Sequence, residues 1–179
     1  MSVRDLLLLS PELSMVGLAL LVILLDLAMV NRKGVLAVIA TAGLAVPLAL
    51  GVALWGQVHS GGSEVGIFGT LVVDKFALFF KFLILGATAL VFMASVDYVS
   101  RFERFKGEYY ALILLSATGM MLLGATTELL SIYIALELTA LPLAALAAFL
   151  GDSRSSEAGI KFLLLSAVSS AVLLYGIAL

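Results

Sequence analysis

The chain has 179 residues, of which 63% are hydrophobic and only 12% are charged, and its net charge is −2 at pH 7. Soluble domains carry about a quarter charged residues, so this composition excludes an ordinary soluble domain and indicates a helical integral membrane protein without a basic surface for nucleic acid. The absence of cysteine excludes disulfides and cysteine-ligated iron–sulfur clusters on this chain, and a single histidine, His59, argues against a histidine-based metal or haem site.

Six apolar runs are long enough to cross a bilayer, since a spanning helix needs roughly 20 mostly apolar residues. In chain order they are about Leu13–Val30, Val35–Trp55, Phe76–Val96, Tyr109–Thr126, Leu129–Leu150 and Gly159–Leu179. The N-terminus lacks the pattern of a signal peptide, because Arg4 and Asp5 cancel beside a short apolar run, so we interpret the first long run as a retained membrane helix. The sequence therefore predicts an all-α, polytopic transmembrane bundle of six helices in a lipid bilayer.

The stretches between the runs carry turn and polar residues. Residues 57–74 predict a long loop rich in Gly and Ser, and residues 151–156 predict a short break in which Ser155 or Ser156 caps the last helix. Lysine and arginine concentrate in the first, third and fifth loops, at Arg32, Lys33, Arg101, Arg104, Lys106 and Arg154. Because such loops stay in the cytoplasm, the bias predicts an N-terminus on the outside.

Glu137 is a carboxylate in the middle of the fifth run. It lies nine residues after Glu128, which is roughly 13 to 14 Å along a helix axis, in a hydrocarbon core about 30 Å thick. An ionised carboxylate at that depth costs at least about 3 kcal/mol. It therefore needs a cationic partner, a hydrated cavity or a bound proton. Two interpretations stay open: a polar contact between helices, or a place on an ion or proton pathway.

Pro142 lies five residues after Glu137. Proline removes a backbone donor and frees the carbonyl of Leu138, which predicts a kink beside the glutamate. The alternative is an ordinary tolerated membrane proline.

Lys81 is a second charged residue inside an apolar run. It follows Asp74 by seven residues, which places it about 10 Å along the third helix, at a depth close to that of Glu137. The alternatives are a contact with Glu137, snorkelling to the outer surface, or an ion pair with Glu12.

Lys161 lies near the inner end of the sixth run, with Glu157 four residues before it, the favourable order for an ion pair. It is interpreted either as half of a simple ion pair or as a proton carrier on the cytoplasmic side. Asp26 lies near the inner end of the first run, and we expect it to pair with Arg32 or Lys33.

Four segments of the sequence carry a family resemblance. They are "SPELSMVGLALLVILLDL", "VVDKFALFFKFLIL", "GEYYALILLSATGMMLLGATTELLSIYIALEL" and "RSSEAGIKFLLLSAVSSAVLLYGIAL". In their order and spacing, over almost the whole chain, the sequence resembles the N-terminal part of subunit N of respiratory complex I, the proton-pumping NADH:quinone oxidoreductase (subunit 2 in mitochondria).

The resemblance implies an antiporter-like subunit in which three leading helices precede two inverted repeats of about five helices each. Residues 1–108 would then hold the three leading transmembrane helices with their loops, and residues 109–179 the first helices of an incomplete first repeat. Glu137 matches the family's essential fifth-helix glutamate, and Lys161 matches the lysine of its sixth helix. In the family the partner of that glutamate lies on a seventh helix, beyond Leu179, so we expect a truncated gene or a fragment.

The function implied by the resemblance is proton translocation coupled to quinone reduction, in the bacterial inner (plasma) membrane, with Glu137, Lys161 and Lys81 on the proton pathway. We expect no redox chemistry and no cofactor or metal on this chain, since NADH, FMN, iron–sulfur clusters and quinone would be bound by partner subunits. The expected partners are the other membrane-arm subunits of complex I. Two alternatives stay open: a subunit of a multisubunit sodium/proton antiporter or membrane-bound hydrogenase, and a purely structural membrane-arm subunit.

Overall fold

The computed structural model describes residues 3–28, 34–58, 64–66, 69–100 and 105–179. These residues form a bundle of helices and one small β-hairpin. The elements are α1 (Val3–Leu8), α2 (Ser10–Ala28), α3 (Gly34–Gly43), α4 (Ala45–Gln57), β1 (Glu64–Gly66), β2 (Leu71–Val73), α5 (Lys75–Ser100), α6 (Lys106–Leu123), α7 (Leu129–Ala147) and α8 (Ser153–Ala178).

Five segments of the described chain are long and apolar enough to cross a membrane. They are Ser10–Ala28, Leu36–Gln57, Lys75–Ser100, Leu129–Ala147 and Ser153–Ala178. The second of these combines α3 and α4. The remaining long helix, α6, has 18 residues and begins with a charged turn that holds Lys106 and Glu108. The prediction of an all-α transmembrane bundle is confirmed, whereas the division into two parts at residue 108 stays a prediction.

The buried centre of the bundle is built on α6, which packs against α2, α5 and α7. Leu114 and Met121 of α6 are buried with Met15 and Val22 of α2 and Phe92 of α5. The outward faces of the helices carry exposed large apolar side chains, as expected for a surface that faces lipid. Lipid tails are as apolar as leucine, so close packing and hydrogen bonds between helices hold such a bundle together.

Aspartates immediately before α5 and α8 cap these two helices. Oδ1 of Asp74 accepts a hydrogen bond from the backbone N–H of Ala77 at 2.7 Å, and Oδ1 of Asp152 accepts one from the N–H of Ser155 at 2.6 Å. The expectation that Ser155 or Ser156 caps the last helix was wrong. The helix begins at Ser153, because a carboxylate at the preceding position already satisfies a free N–H of its first turn.

A hairpin lies in the loop between the second and third spans, where the sequence had predicted only a Gly- and Ser-rich loop. Strands β1 and β2 pair antiparallel, with Glu64 opposite Val73. Strand β2 also joins the turn between α6 and α7: the N–H of Val72 donates to the carbonyl of Ala125 at 2.8 Å, and the N–H of Thr127 donates to the carbonyl of Thr70 at 3.1 Å. We call this end of the bundle the hairpin side; it holds β1, β2 and the first residues of α5 and α7.

Candidate functional site

Glu137 lies halfway along α7 and is partly buried. The hydroxyl of Ser170 on α8 donates a hydrogen bond to its Oε1. The bond joins two neighbouring spans, and it supplies the buried carboxylate with a polar partner that the sequence analysis missed. The sequence indicates Ser170 only weakly, since helical spacing places it on one face of α8 with Gly159 and Ser166. In the structure these three residues are less exposed than most of that helix.

The opposite flank of α7 packs very closely against α6. The hydroxyl of Ser116 donates to the carbonyl of Thr139 at 3.1 Å. A methyl group added at Gly119 would lie 2.5 Å from Oγ1 and 2.7 Å from the backbone nitrogen of Thr139. Small residues of this kind let membrane helices approach to backbone contact. The helix that carries Glu137 is therefore fixed on its α6 side.

Pro142 is buried within α7, and the helix continues through it from Leu129 to Ala147. Its ring removes the donor that would otherwise bond to the carbonyl of Leu138, one residue after Glu137. The kink beside Glu137 stays a prediction.

Lys81 forms an ion pair with Glu12, with Nζ of the lysine 2.7 Å from Oε1 of the glutamate. The two side chains are only 1% and 3% exposed. Of the alternatives left open by the sequence, the structure thus contains the pair with Glu12 on α2, and it does not bring Lys81 to Glu137. A role of Lys81 on a proton pathway stays a prediction.

Lys161 forms an ion pair with Glu157, one turn earlier on α8, at 2.5 Å. Both side chains are well exposed, at 69% and 63%. Lys161 precedes Ser170 by nine residues, which is roughly 13 to 14 Å along the helix axis. Any proton exchange between Lys161 and the Glu137–Ser170 pair would therefore need intervening water.

Asp26 caps a helix that belongs to another part of the chain. Its Oδ2 accepts a hydrogen bond of 2.9 Å from the backbone N–H of Gly107, in the first turn of α6. A Cβ at Gly107 would lie 2.5 Å from Cβ of Asp26, so the contact requires glycine. A carboxylate at a helix N-terminus is stabilised by the free N–H groups and by the helix dipole. The partners expected for Asp26, Arg32 and Lys33, lie outside the described residues.

Three carboxylates of the described chain thus have three kinds of partner: a hydroxyl for Glu137, an ammonium for Glu12 and a backbone N–H for Asp26. Within the part of the chain that the structure describes, no group of three or more His, Cys, Asp or Glu residues could hold a metal ion. The chemistry that this arrangement offers is the binding and release of protons by carboxylates inside membrane helices.

The last third of the chain matches a family of membrane proteins. The model of the family "NADH:quinone oxidoreductase/Mrp antiporter, TM" matches residues 126–179. This segment contains Glu137, Pro142, Lys161 and Ser170. The end of the chain is therefore of the membrane-helix type shared by quinone oxidoreductases and Mrp antiporters.

Comparison with individual proteins is more specific. NADH-quinone oxidoreductase subunit N of Dehalococcoides mccartyi is 41% identical over 94% of this chain and 34% of its own length. Subunit N of Moorella thermoacetica is 45% identical over 91% of this chain and 33% of its own length. A chain of respiratory complex I from Thermus thermophilus, solved with bound aureothin, superposes with a TM-score of 0.71 and 31% identity over 93% of this chain and 35% of that one.

The chain is therefore a homologue of NADH-quinone oxidoreductase subunit N, and the resemblance noted in the sequence is confirmed. It spans about a third of the length of the curated relatives that it matches.

Proposed function

We propose that the chain forms part of a proton-translocating, antiporter-like membrane subunit of NADH:quinone oxidoreductase. The observation that carries the proposal is the Glu137–Ser170 pair, a carboxylate in the middle of one span bonded to a hydroxyl on the next. The homology to subunit N supports the same assignment. An ionisable group at such depth is a functional-site hypothesis by default, because it is expensive to place there.

The pair has the chemistry of a proton relay. When Glu137 is ionised, the Ser170 hydroxyl donates a hydrogen bond to the carboxylate and stabilises its charge. When Glu137 has taken up a proton, its own O–H can donate to the serine oxygen, since a hydroxyl both donates and accepts. The contact between α7 and α8 is therefore kept in both protonation states. Lys161, on the cytoplasmic side in the proposed topology, would exchange protons with this pair through water.

The rest of the enzyme would lie on other subunits. We place NADH, FMN, the iron–sulfur clusters and the quinone on partner subunits, and the other membrane-arm subunits in contact with this chain. The location in this proposal is the bacterial inner membrane, with the N-terminus outside. The sequence supports the placement of the iron–sulfur clusters on partner subunits, because this chain carries no cysteine to ligate one.

Two other functions compete with this proposal. The family model covers Mrp antiporters as well as quinone oxidoreductases. The relatives from Dehalococcoides and Moorella, in contrast, are both subunit N, and this favours the oxidoreductase over an antiporter. A purely structural membrane subunit is the remaining alternative. It differs in one respect that can be measured: it has no need for an ionisable group at position 137.

The decisive experiment replaces Glu137 in a complete host complex. Glu137→Gln keeps the shape and a hydrogen-bonding carbonyl but cannot ionise, so proton pumping should drop strongly while assembly on a native gel is intact. Glu137→Asp keeps the charge on a shorter side chain and should retain part of the activity. Glu128→Gln is the matched control, because Glu128 precedes the same helix and is exposed.

A structural role for Glu137 predicts a different result. Hydrogen bonds between membrane helices are worth only about 0.6 kcal/mol on average, so glutamine would then serve nearly as well as glutamate. A Glu137→Gln complex that assembles and pumps at the wild-type rate would overturn the proposal.

A further inference from the structure

The ion pair between Glu12 and Lys81 is buried at the hairpin side of the bundle, on helices other than those that carry Glu137 and Ser170. It joins the first turn of α2 to the second turn of α5, and both side chains are almost completely buried. Apart from the Lys81 ammonium at Oε1, neither carboxylate oxygen of Glu12 has a partner among the described residues. A buried acceptor without a partner is costly and needs an explanation.

A small cavity adjoins this pair. Its volume is about 10 Å³, which is about the size at which a single water molecule fits. The walls are mostly apolar, and the titratable residues among them are Asp5, Glu12 and Lys81. Asp5 belongs to α1, the helix next to the hairpin. The cavity therefore places two carboxylates and one ammonium around a space of the size of one water.

Stability alone does not account for such a pair. A buried ion pair is often no more stable than apolar residues of similar volume, because both charges lose their hydration. Charged residues in membrane helices instead mark pathways for ions or protons. The unpartnered oxygen and the adjoining cavity add what a proton site needs: an acceptor and room for a donor.

We propose that Glu12 and Lys81 form a second proton-binding site, with one buried water as its ligand. This site exchanges protons with the aqueous phase at the hairpin side of the bundle. A proton delivered to the water passes to Oε2 of Glu12, an O–H bond forms on the carboxylate, and the water is regenerated. Lys81 keeps its three ammonium protons throughout, so the charge of the pair rises from zero to +1. Release reverses these steps. The proposal rests on the proposed function and extends it to the first and third spans.

The first test reads the protonation of Glu12 directly. The full chain in lipid vesicles is titrated with acid while infrared difference spectra follow the carbonyl band of protonated carboxyl groups. Glu12→Gln combined with Lys81→Gln removes both charges together, so that neither partner is left buried and unpaired. We expect the double variant to lose one titrating band that a Glu128→Gln control retains. Identical spectra in the wild type and the double variant would overturn the proposal, whatever the pumping results.

The second test measures pumping in the host complex with the same double variant. If the pair served only to hold the helices, removal of both charges should leave pumping normal in an assembled complex. We expect pumping to fall by about tenfold or more, since a positioned proton-transfer group typically contributes 10²–10⁴-fold. An assembled double variant that pumps at the wild-type rate would refute the site.

The two proposals can fail separately. Normal pumping in the double variant together with loss of pumping in Glu137→Gln would remove the second site and keep the proposed function. Normal pumping in Glu137→Gln would remove the proposed function, and the infrared band would still decide whether Glu12 binds a proton.

Discussion

Ser170 donates a hydrogen bond to Glu137 across the contact between α7 and α8, so the carboxylate in the middle of α7 is partnered by a hydroxyl. A hydroxyl has no charge of its own. It stabilises the ionised carboxylate only by hydrogen bonding. A lysine at the same distance would, in contrast, strongly favour the ionised form through its positive charge. The partner therefore suits a group that has to change its charge.

Ser170→Ala should weaken the contact between α7 and α8 by about 0.6 kcal/mol, the average for hydrogen bonds between membrane helices. It should also slow proton uptake, because Glu137 loses its described partner. Ser169→Ala is the matched control, since Ser169 is exposed on the same helix. Thermal unfolding in detergent and proton uptake in vesicles provide the two measurements. Equal behaviour of the two variants would contradict a role for the Ser170 hydroxyl.

Three variants distinguish a proton-carrying role of Lys161 from its role in the ion pair with Glu157. The Glu157–Lys161 pair is exposed and should contribute at most about 1 kcal/mol to stability, so Glu157→Ala should leave pumping near normal. Lys161→Ala should slow pumping if the lysine carries protons. Lys161→Arg should slow it as well, because arginine retains the ion pair but does not deprotonate. Near-normal pumping in all three variants would end the proton-carrier role.

Gly119→Ala should destabilise the bundle, because the added methyl group would meet the backbone and hydroxyl of Thr139 at less than van der Waals distance. Overpacking of this kind typically costs about 1–3 kcal/mol. Gly86→Ala is the control: it lies in a long helix too, and its added methyl group meets nothing within 4 Å. The midpoint of thermal unfolding in detergent should fall for Gly119→Ala only. A fall of the same size in both variants would show that the contact between α6 and α7 is not tight.

Asp152 should make the stability of the bundle depend on acid pH. The hydrogen bond from the backbone N–H of Ser155 lowers the pKa of the Asp152 carboxyl below its ordinary value of 3.8. A carboxyl whose pKa is lower in the folded than in the unfolded state adds stability that is present above the unfolded value and is lost as the pH falls through the folded value. The free energy of unfolding of the wild type should fall as the pH is lowered from 6 to below 3.8. The fall should be smaller in Asp152→Asn, because asparagine is a neutral cap that does not titrate. A pH dependence unchanged by the substitution would assign the effect to other carboxyls.

Lys106→Cys tests the proposed topology. The lysine and arginine bias predicts that this residue faces the cytoplasm, so a membrane-impermeant thiol reagent added to intact cells should leave the cysteine unlabelled. Labelling should appear once the membrane is opened. A cysteine at position 2 serves as the opposite control and should react from outside. Labelling of Lys106→Cys in intact cells would reverse the orientation.

Much of the fold follows from the sequence because lipid imposes a simple rule. Long apolar runs must be helical to satisfy their backbone groups, and a run such as Leu129–Leu150 therefore predicts α7 closely. The β-hairpin does not follow in the same way. Its strands have three residues each, and they depend on pairing with the distant turn at Ala125 and Thr127, which no local pattern shows.

The candidate site could be predicted only in part. Glu137 and Lys81 are visible in the sequence because a charge in an apolar run is rare. Their partners are less visible. Ser170 is one of several small polar residues on α8, and the choice of Glu12 for Lys81 depends on the packing of both α2 and α5 against α6, which is a tertiary property.

The bridge between strand β2 and the turn at Ala125–Thr127 is a backbone link between spans. Backbone hydrogen bonds of 2.8 and 3.1 Å are near the normal length and weaken steeply when stretched or misaligned. Through β2, the start of α5 is therefore joined by backbone hydrogen bonds to the turn between α6 and α7. The Glu137–Ser170 bond joins α7 to α8 through side chains. This link changes when the carboxyl group gains or loses a proton, whereas the backbone hydrogen bonds at the hairpin side have no titrating partner.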